Sequence, residues 1–264
     1  MKKAYLFIIL LCLMSYGCEK NISLEIPKYN DKVVVYCILM PYNDIQVYLS
    51  LSQSYYSYAD TNSTISNTLI QTAQVIVTDQ TANKTDTLQY NIFAQSYGEG
   101  RNGFFAISGH HYVMNVNYQG KILTAETTVP MQAKIDHVDY IKLDTAQNQG
   151  TNYEFNVFFN TVAGGPNSYL LSNQTNFISD NGVAGEQLET TINYRLGPVY
   201  PDTVYFQLSN ATQETANYLS NINIQSQNAG DPFTQPVIVE GNINGGLGIF
   251  GAITPGPSFR VIVK

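Results

Sequence analysis

Hydrophobic and polar positions alternate with a period of two along much of this chain. In residues 45–52, apolar Ile, Val and Leu fill every second position, and Gln, Tyr and Ser fill the others. Residues 112–118 repeat the alternation, whereas residues 33–40 form a continuous apolar run. Alternation indicates a half-buried strand, and a short apolar run between turns indicates a strand buried on both faces. The pattern therefore predicts a mostly β protein.

Turn-forming segments separate the predicted strands into two groups. Residues 32–130 contain short strands with turns between them, which is typical of an antiparallel β-sandwich of immunoglobulin-like size. The chain has no Trp, so the Trp-centred core of antibody domains is absent and "Ig-like" describes the architecture alone. Residues 131–264 are predicted to form a second β-rich domain, with alternating strands near 138–143 and 153–159.

One segment of the C-terminal domain has helical rather than strand periodicity. Thr215, Tyr218 and Ile222 recur at the spacing that places side chains on one face of an α-helix. Asn210 precedes them in the position of an N-cap residue. We therefore predict one helix, near residues 211–228.

The chain begins with a short apolar run that follows two positive charges. Lys2 and Lys3 precede residues 4–14, which are uncharged and apolar. A membrane-spanning helix needs about 20 apolar residues, so this run is too short to cross a bilayer and fits the apolar part of a signal peptide. Residues 1–17 are predicted to be removed from the mature protein.

The end of the predicted signal peptide resembles the lipobox of bacterial lipoproteins, because Gly17 directly precedes Cys18. The resemblance implies cleavage before Cys18, a diacylated thiol and an acylated amine. Several acyl chains anchor a protein stably, whereas one binds only marginally. Residues 18–31 would then be a tether between the membrane and the β domains. An ordinary secretory signal followed by a chance cysteine is the alternative.

Charge and cysteine content argue against a disordered chain, a nucleic-acid-binding protein and a catalytic thiol. The chain of 264 residues has a formal net charge of −7, and only 12% of its residues are charged while 44% are hydrophobic. Such a chain can build a core, and it lacks the clustered Lys and Arg of a nucleic-acid surface. Once Cys12 has left with the signal and Cys18 carries lipid, only Cys37 remains. Because Cys37 lies in an apolar run, we predict a buried thiol that takes no part in chemistry.

A glycine pattern near the end of the chain resembles a cofactor motif but lacks its context. Gly246, Gly248 and Gly251 have GxGxxG spacing. A dinucleotide site also needs a helix that opens at the glycines and an acidic residue about 20 positions later. No Asp or Glu follows Gly251. We therefore interpret these glycines as positions of tight turns or close backbone approach, and we predict no cofactor.

The histidines and carboxylates form no recognisable chemical motif. His110 and His111 are adjacent and would point to opposite faces of a strand, and His137 is the only other histidine. HExxH, Cys/His and EF-hand spacings are absent, as are a nucleophile elbow and a distinct carboxylate pair. We therefore predict no metal site, no catalytic residues and a protein that is not an enzyme.

A tyrosine cluster in a polar segment is a candidate binding loop. Tyr55, Tyr56 and Tyr58 lie among Ser, Asp, Thr and Asn residues without a clear period. Exposed aromatic side chains can stack on sugars or anchor a protein partner. They can equally cover an edge of the sandwich, so both interpretations stay open.

Five segments of the chain form a combination found in a known family: the lipobox, VVVYCILMP (33–41), IQVYLSLSQSY (45–55), ETTVP (126–130) and the glycine-rich stretch 231–251. Together they resemble the Bacteroidota lipoproteins grouped as domain-of-unknown-function family 4249. The resemblance implies an outer-membrane-associated lipoprotein of uncharacterised role, often encoded near TonB-dependent transporters. It transfers no catalytic residues, and it leaves the membrane face, surface or periplasmic, undetermined.

Three Asp-Thr-apolar tripeptides resemble the site at which Bacteroidota O-glycosylate exported proteins. Their threonines are Thr87, Thr145 and Thr203. Asp-Thr also commonly ends a turn before a strand, so the structural interpretation is equally open. An intact mass of the native protein equal to peptide plus lipid would exclude glycans at these positions.

Three functions remain as hypotheses at this point. The first is a non-catalytic binding or accessory lipoprotein that assists a TonB-dependent β-barrel of the outer membrane. The second is a structural or adhesive envelope protein without a small-molecule ligand. The third is an envelope hydrolase. It ranks last because it requires a cleft in which titratable groups converge, and the sequence contains no motif that predicts one.

Overall fold

The computed structural model describes residues 30–52, 68–98, 104–146, 150–197, 203–228, 234–235 and 237–263. These residues form fifteen strands and one helix. In chain order, they are β1 (Val33–Leu39), β2 (Tyr48–Leu51), β3 (Gln74–Asp79), β4 (Lys84–Leu88), β5 (Tyr90–Asn91), β6 (Ser96–Tyr97), β7 (His111–Tyr118), β8 (Lys121–Thr128), β9 (Ile135–Ala146), β10 (Gly150–Asn160), β11 (Asn167–Leu171), β12 (Ile178–Ser179), β13 (Gln187–Leu196), β14 (Thr203–Thr212), α1 (Gln213–Asn228) and β15 (Leu247–Ile262).

The strands are arranged in four sheets. The largest has six strands in the order β12-β11-β14-β15-β1-β2. A four-stranded sheet has the order β4-β3-β7-β8, a three-stranded sheet has the order β13-β10-β9, and β5 pairs with β6. The prediction of a mostly β chain with one helix is therefore confirmed.

Strand β15 joins the two halves of the chain within the six-stranded sheet. Its first part pairs in parallel with β1, from Val34–Leu247 to Leu39–Ala252. Its second part pairs antiparallel with β14, from Ala211–Ile253 to Thr203–Ile262. An immunoglobulin-like sandwich built from residues 32–130 is thus not confirmed, because the sheet that contains β1 and β2 also contains the last strand of the chain.

Two hydrophobic cores lie on this framework. The first is formed mainly by strands β1, β2, β3, β7 and β8, and β15 adds Phe250 and Ala252 to it; fully buried members include Val35, Val47, Val75, Met114 and Leu123. The second is formed by β9, β10, β11, β13, β14 and the end of β15; fully buried members include Phe155, Val157, Phe159, Leu171, Phe206 and Leu208. Full burial of such a side chain contributes about 1.5–3 kcal/mol. The predicted core position of Cys37 is confirmed, and burial raises the pKa of its thiol.

The segment between the two cores is hydrogen-bonded to the middle of the six-stranded sheet. Thr254 Oγ1 in β15 donates to the carbonyl of Pro130 at 2.7 Å. Asn210 Nδ2 in β14 donates to the carbonyl of Met131 at 3.0 Å. Asn210 therefore lies inside a strand, and its predicted role as helix N-cap is wrong. The side chain of Thr212 caps the helix instead, since its Oγ1 accepts a hydrogen bond from Thr215 N at 3.3 Å.

The three glycines of the GxGxxG pattern lie where other parts of the chain approach β15. A Cβ atom on Gly246 would contact the carbonyl oxygen of Val33, and one on Gly248 would overlap the carbonyl oxygen of Val35. A Cβ atom on Gly251 would overlap Thr215 Oγ1 of the helix. These contacts agree with the interpretation of the glycines as positions of close backbone approach.

Candidate functional site

The outer face of strand β1 presents large apolar side chains that neither core covers. Val33, Val35, Cys37 and Leu39 point into the first core. The alternate residues therefore point away from it, because successive side chains of a strand alternate between its faces. On that outer face, and in the turn after it, lies an open groove of about 480 Å³, which we call the aromatic groove; it is lined by Tyr36, Ile38, Met40, Tyr42, Asn43, Asp44, Gln46, Tyr48 and Phe105.

Backbone pairing holds the turn of the aromatic groove in place. Pro41 and Asp44, on either side of the tip, form β-bridges with Ala106 and Phe105. The amide of Tyr42 donates to the carbonyl of Ala106 at 3.1 Å. The segment around Phe105 thus fixes the turn and adds its own ring to the groove.

The rings of the groove are held at an angle to one another. The centroids of Tyr36 and Tyr48 are 6.3 Å apart and their planes are inclined by 55°. Tyr48 Oη donates to Gln46 Oε1 at 3.0 Å. Burial, with smaller contributions from Cys37 and Tyr48, raises the pKa of Tyr36. The phenolic hydroxyl of Tyr36 can donate a hydrogen bond.

Tyr42 combines two features that do not favour folding. Its φ angle is 66°, in the left-handed region that non-glycine residues rarely adopt. Its side chain is 88% exposed, although it is large and mostly apolar. Sparsely populated backbone conformations cost about 1–3 kcal/mol and cluster at functional sites. Tyr42 is therefore the strongest single indication of a binding role in the described part of the chain.

A second cavity, of about 870 Å³, lies between β8, the turn after β10 and the start of the helix. His111 lies at its edge, with Nδ1 2.9 Å from Thr128 Oγ1 and Nε2 3.6 Å from Glu126 Oε2. Asn242 Nδ2 spans the cavity floor by donating to the carbonyls of Glu126 and Phe250. The side chains of His111 and Asn242 thus bond to residues of neighbouring strands, so a structural role in holding these strands together accounts for their positions. The aromatic groove, whose rings are exposed, is the stronger candidate site.

The structure does not bring the residues singled out from the sequence into one site. Cys18 and the tyrosine cluster Tyr55, Tyr56 and Tyr58 lie outside the described residues. The three threonines occupy three different sheets; Thr87 is exposed in β4, Thr145 lies in β9, and Thr203 is the partly exposed first residue of β14. Their lipidation, binding and glycosylation stay predictions.

The aromatic groove was not predicted from the sequence, although the sequence contains one signal for it. Tyr36 and Tyr48 occupy strand positions whose neighbours are buried, so period-two alternation places both rings on the outer face. Nothing local predicts that Phe105 joins them, since it comes from a segment more than fifty residues later in the chain. The groove is therefore a product of tertiary pairing.

The described residues offer neither a metal-binding cluster nor a membrane-spanning helix. Within these ranges, no three His, Cys, Asp or Glu side chains lie close enough together to hold a metal ion. Helix α1, the one helix in the part of the chain that the structure covers, does not have the length and apolarity needed to cross a membrane.

Comparison with known proteins gives a family but no activity. No curated protein matches the chain. The family described as "Domain of unknown function (DUF4249)" matches residues 19–256, which include every described strand up to the antiparallel part of β15. The chain therefore belongs to the DUF4249 family.

Proposed function

We propose that this protein is a non-catalytic binding lipoprotein, anchored in the outer membrane through Cys18, that assists a TonB-dependent transporter. The anchor rests on the apolar leader and on the glycine before Cys18. The transporter as partner rests on the resemblance of the chain to Bacteroidota envelope lipoproteins. An Ig-like first module, which would work by surface contact, remains part of this proposal.

The aromatic groove is the observation that carries the binding role. Large apolar side chains gathered on one exposed face mark sites of interaction in soluble domains. Here the face includes Tyr42, which combines a positive φ angle with a large side chain that is 88% exposed. Binding at such a face depends on a complementary shape and on hydrogen-bonding groups, and it does not need a reactive side chain.

Capture of a partner from native membranes tests the transporter assignment. The full chain, processed and lipidated in its native host, is expected to co-purify with a TonB-dependent β-barrel after mild detergent extraction. The same purification with an unrelated lipoprotein of that host as bait is the control. Recovery of the protein without any β-barrel partner would remove the transporter from the proposal.

Replacement of the lipidated residue tests the anchor. Cys18→Ser is expected to yield protein that is either soluble or unprocessed, because no thiol remains to receive the diacyl group. Membrane fractionation followed by mass analysis of the amino terminus measures both outcomes. Cys37→Ser is the matched control, since it removes a buried thiol and should stay in the membrane fraction. Unchanged fractionation of Cys18→Ser would contradict the anchor.

A further inference from the structure

We propose that the aromatic groove binds an uncharged saccharide. This inference rests on the proposed binding function and names the ligand class of the same site. The groove offers aromatic faces together with hydroxyl, amide and carboxylate groups. Its volume of about 480 Å³ lies within the range of small-molecule sites.

The aromatic rings match the apolar faces of a sugar ring. An aromatic ring carries negative charge on its faces, and the C–H bonds of a pyranose carry a weak positive charge. Tyr36, Tyr42, Tyr48 and Phe105 are all exposed, and the ring planes of Tyr36 and Tyr48 are inclined by 55°. Exposed rings that are inclined to one another can contact a sugar on more than one face.

The polar groups between the rings match the hydroxyls of a saccharide. Asp44 supplies acceptor oxygens, Asn43 and Gln46 supply amide groups, and Tyr36 supplies a phenolic donor. At the tip of the turn the backbone amide of Asn43 is bonded to the carbonyl of Met40, whereas the side-chain Nδ2 of Asn43 has a long contact of 3.8 Å to the sulfur of Met40. Asp44, Asn43 and Tyr36 can exchange a water molecule for a sugar hydroxyl, and Gln46, whose Oε1 accepts from Tyr48 Oη, can do so through its amide nitrogen.

The charges of the groove select against acidic saccharides. Among the described residues that line it, Asp44 is the single charged one. The whole chain also has a net charge of −7. A uronate or sulfated sugar would place a like charge beside Asp44, and the repulsion between the two charges would weaken its binding. The ligand class is therefore a neutral saccharide.

Affinity electrophoresis of the full chain tests the proposal with defined polymers. The native gels contain dextran, pullulan, yeast mannan or galactomannan as neutral probes, and polygalacturonate as the acidic probe. The wild-type protein is expected to be retarded in at least one neutral gel and to migrate freely in polygalacturonate. Migration unaffected by all four neutral polymers, or stronger retention by polygalacturonate, would overturn the proposal.

Two groove variants and one control variant locate the binding. Tyr42→Asn and Phe105→Ser are each expected to weaken retention about five- to tenfold, the scale of one aromatic contact. Phe93→Ser removes an aromatic side chain that is 97% exposed outside the groove, and it should bind as the wild type does. If Tyr42→Asn and Phe105→Ser are retained as strongly as the wild type and Phe93→Ser, the sugar binds elsewhere and the assignment of the groove is wrong.

Tyr42→Asn also separates binding from folding. Asn adopts the left-handed conformation more readily than Tyr, so the thermal midpoint of Tyr42→Asn should equal or exceed that of the wild type. Lower retention at unchanged or higher stability is the expected signature of a binding residue. If the groove variants instead bind sugar normally but lose a co-purifying β-barrel, the groove is a protein-docking face; the saccharide inference then fails while the proposed function survives.

Discussion

Gly248→Ala is expected to lower the free energy of unfolding by about 4 kcal/mol or more, a loss that few single substitutions cause. Gly248 has a φ angle of 103°, which side-chain-bearing residues avoid. A methyl group there would also overlap the backbone carbonyl of Val35 on the neighbouring strand. Because Val35 is fully buried, β1 cannot move aside without opening the first core. Denaturant unfolding of the full chain at neutral pH measures the loss.

Gly120→Ala is the matched control for this substitution. Gly120 also has a positive φ angle, 79°, but a Cβ atom there would meet nothing within 4 Å. Its replacement should cost only the backbone strain, about 1–2 kcal/mol. If Gly248→Ala and Gly120→Ala lower the free energy of unfolding equally, the close contact of β15 with β1 adds nothing to the cost of the substitution. The role of β15 in joining the two halves would then be wrong.

Asp180→Ala is expected to cost about 3 kcal/mol, because it leaves several buried donors without an acceptor. Asp180 is buried, with 6% of its surface exposed, and its carboxylate is the acceptor in question. It accepts hydrogen bonds from Asn167 N at 2.8 Å, Gly182 N at 2.9 Å and Tyr169 Oη at 2.8 Å. These bonds fix the loop after β12 to β11. Asp136→Ala, which removes an exposed carboxylate next to His137, should change stability by less than about 0.5 kcal/mol.

The contribution of Asp180 should depend on pH in a defined direction. Desolvation by itself would raise the pKa of Asp180, but the hydrogen bonds from Asn167, Gly182 and Tyr169 outweigh it and lower the pKa. A carboxyl whose pKa is lower in the folded state stabilises the fold above its unfolded value of about 3.9 and loses that contribution as pH falls through the folded value. The stability difference between wild type and Asp180→Ala should therefore shrink at pH 3 relative to pH 7. A difference that is constant with pH would show that the folded and unfolded carboxyl have the same pKa.

Local patterns in the sequence predict the strands whose two faces differ in environment. In residues 112–118 every second position is large and apolar, and β7 buries Tyr112, Met114 and Val116 while Val113, Asn115 and Asn117 are more exposed. The same reasoning placed the helix within two residues of its observed start at Gln213. It also placed Cys37 in the interior. These features depend on neighbours within one strand or helix, so they can be predicted from the periodicity of apolar residues along the sequence.

The long strand β15 shows where local patterns fail. Its residues include Gly248, Gly251, Pro255, Gly256 and Pro257, which by themselves indicate turns. In the fold, glycines allow close approach instead; a Cβ atom on Gly256 would be too near the carbonyls of Ala133 and Leu208. Only the approaching segments reveal this use of glycine, and those segments lie far away in the sequence.

The sequence by itself determined the β class of this protein, its helix, its buried thiol and its resemblance to the DUF4249 family. The tertiary structure alone decided that β15 pairs with both β1 and β14, and that Tyr36, Tyr42, Tyr48 and Phe105 meet in one groove. The physical reason is that the alternation of apolar and polar residues indicates which side of a strand is buried. It does not indicate which distant strand pairs with it. Strand partners are chosen by the packing of the whole core, and the candidate binding site follows from that choice.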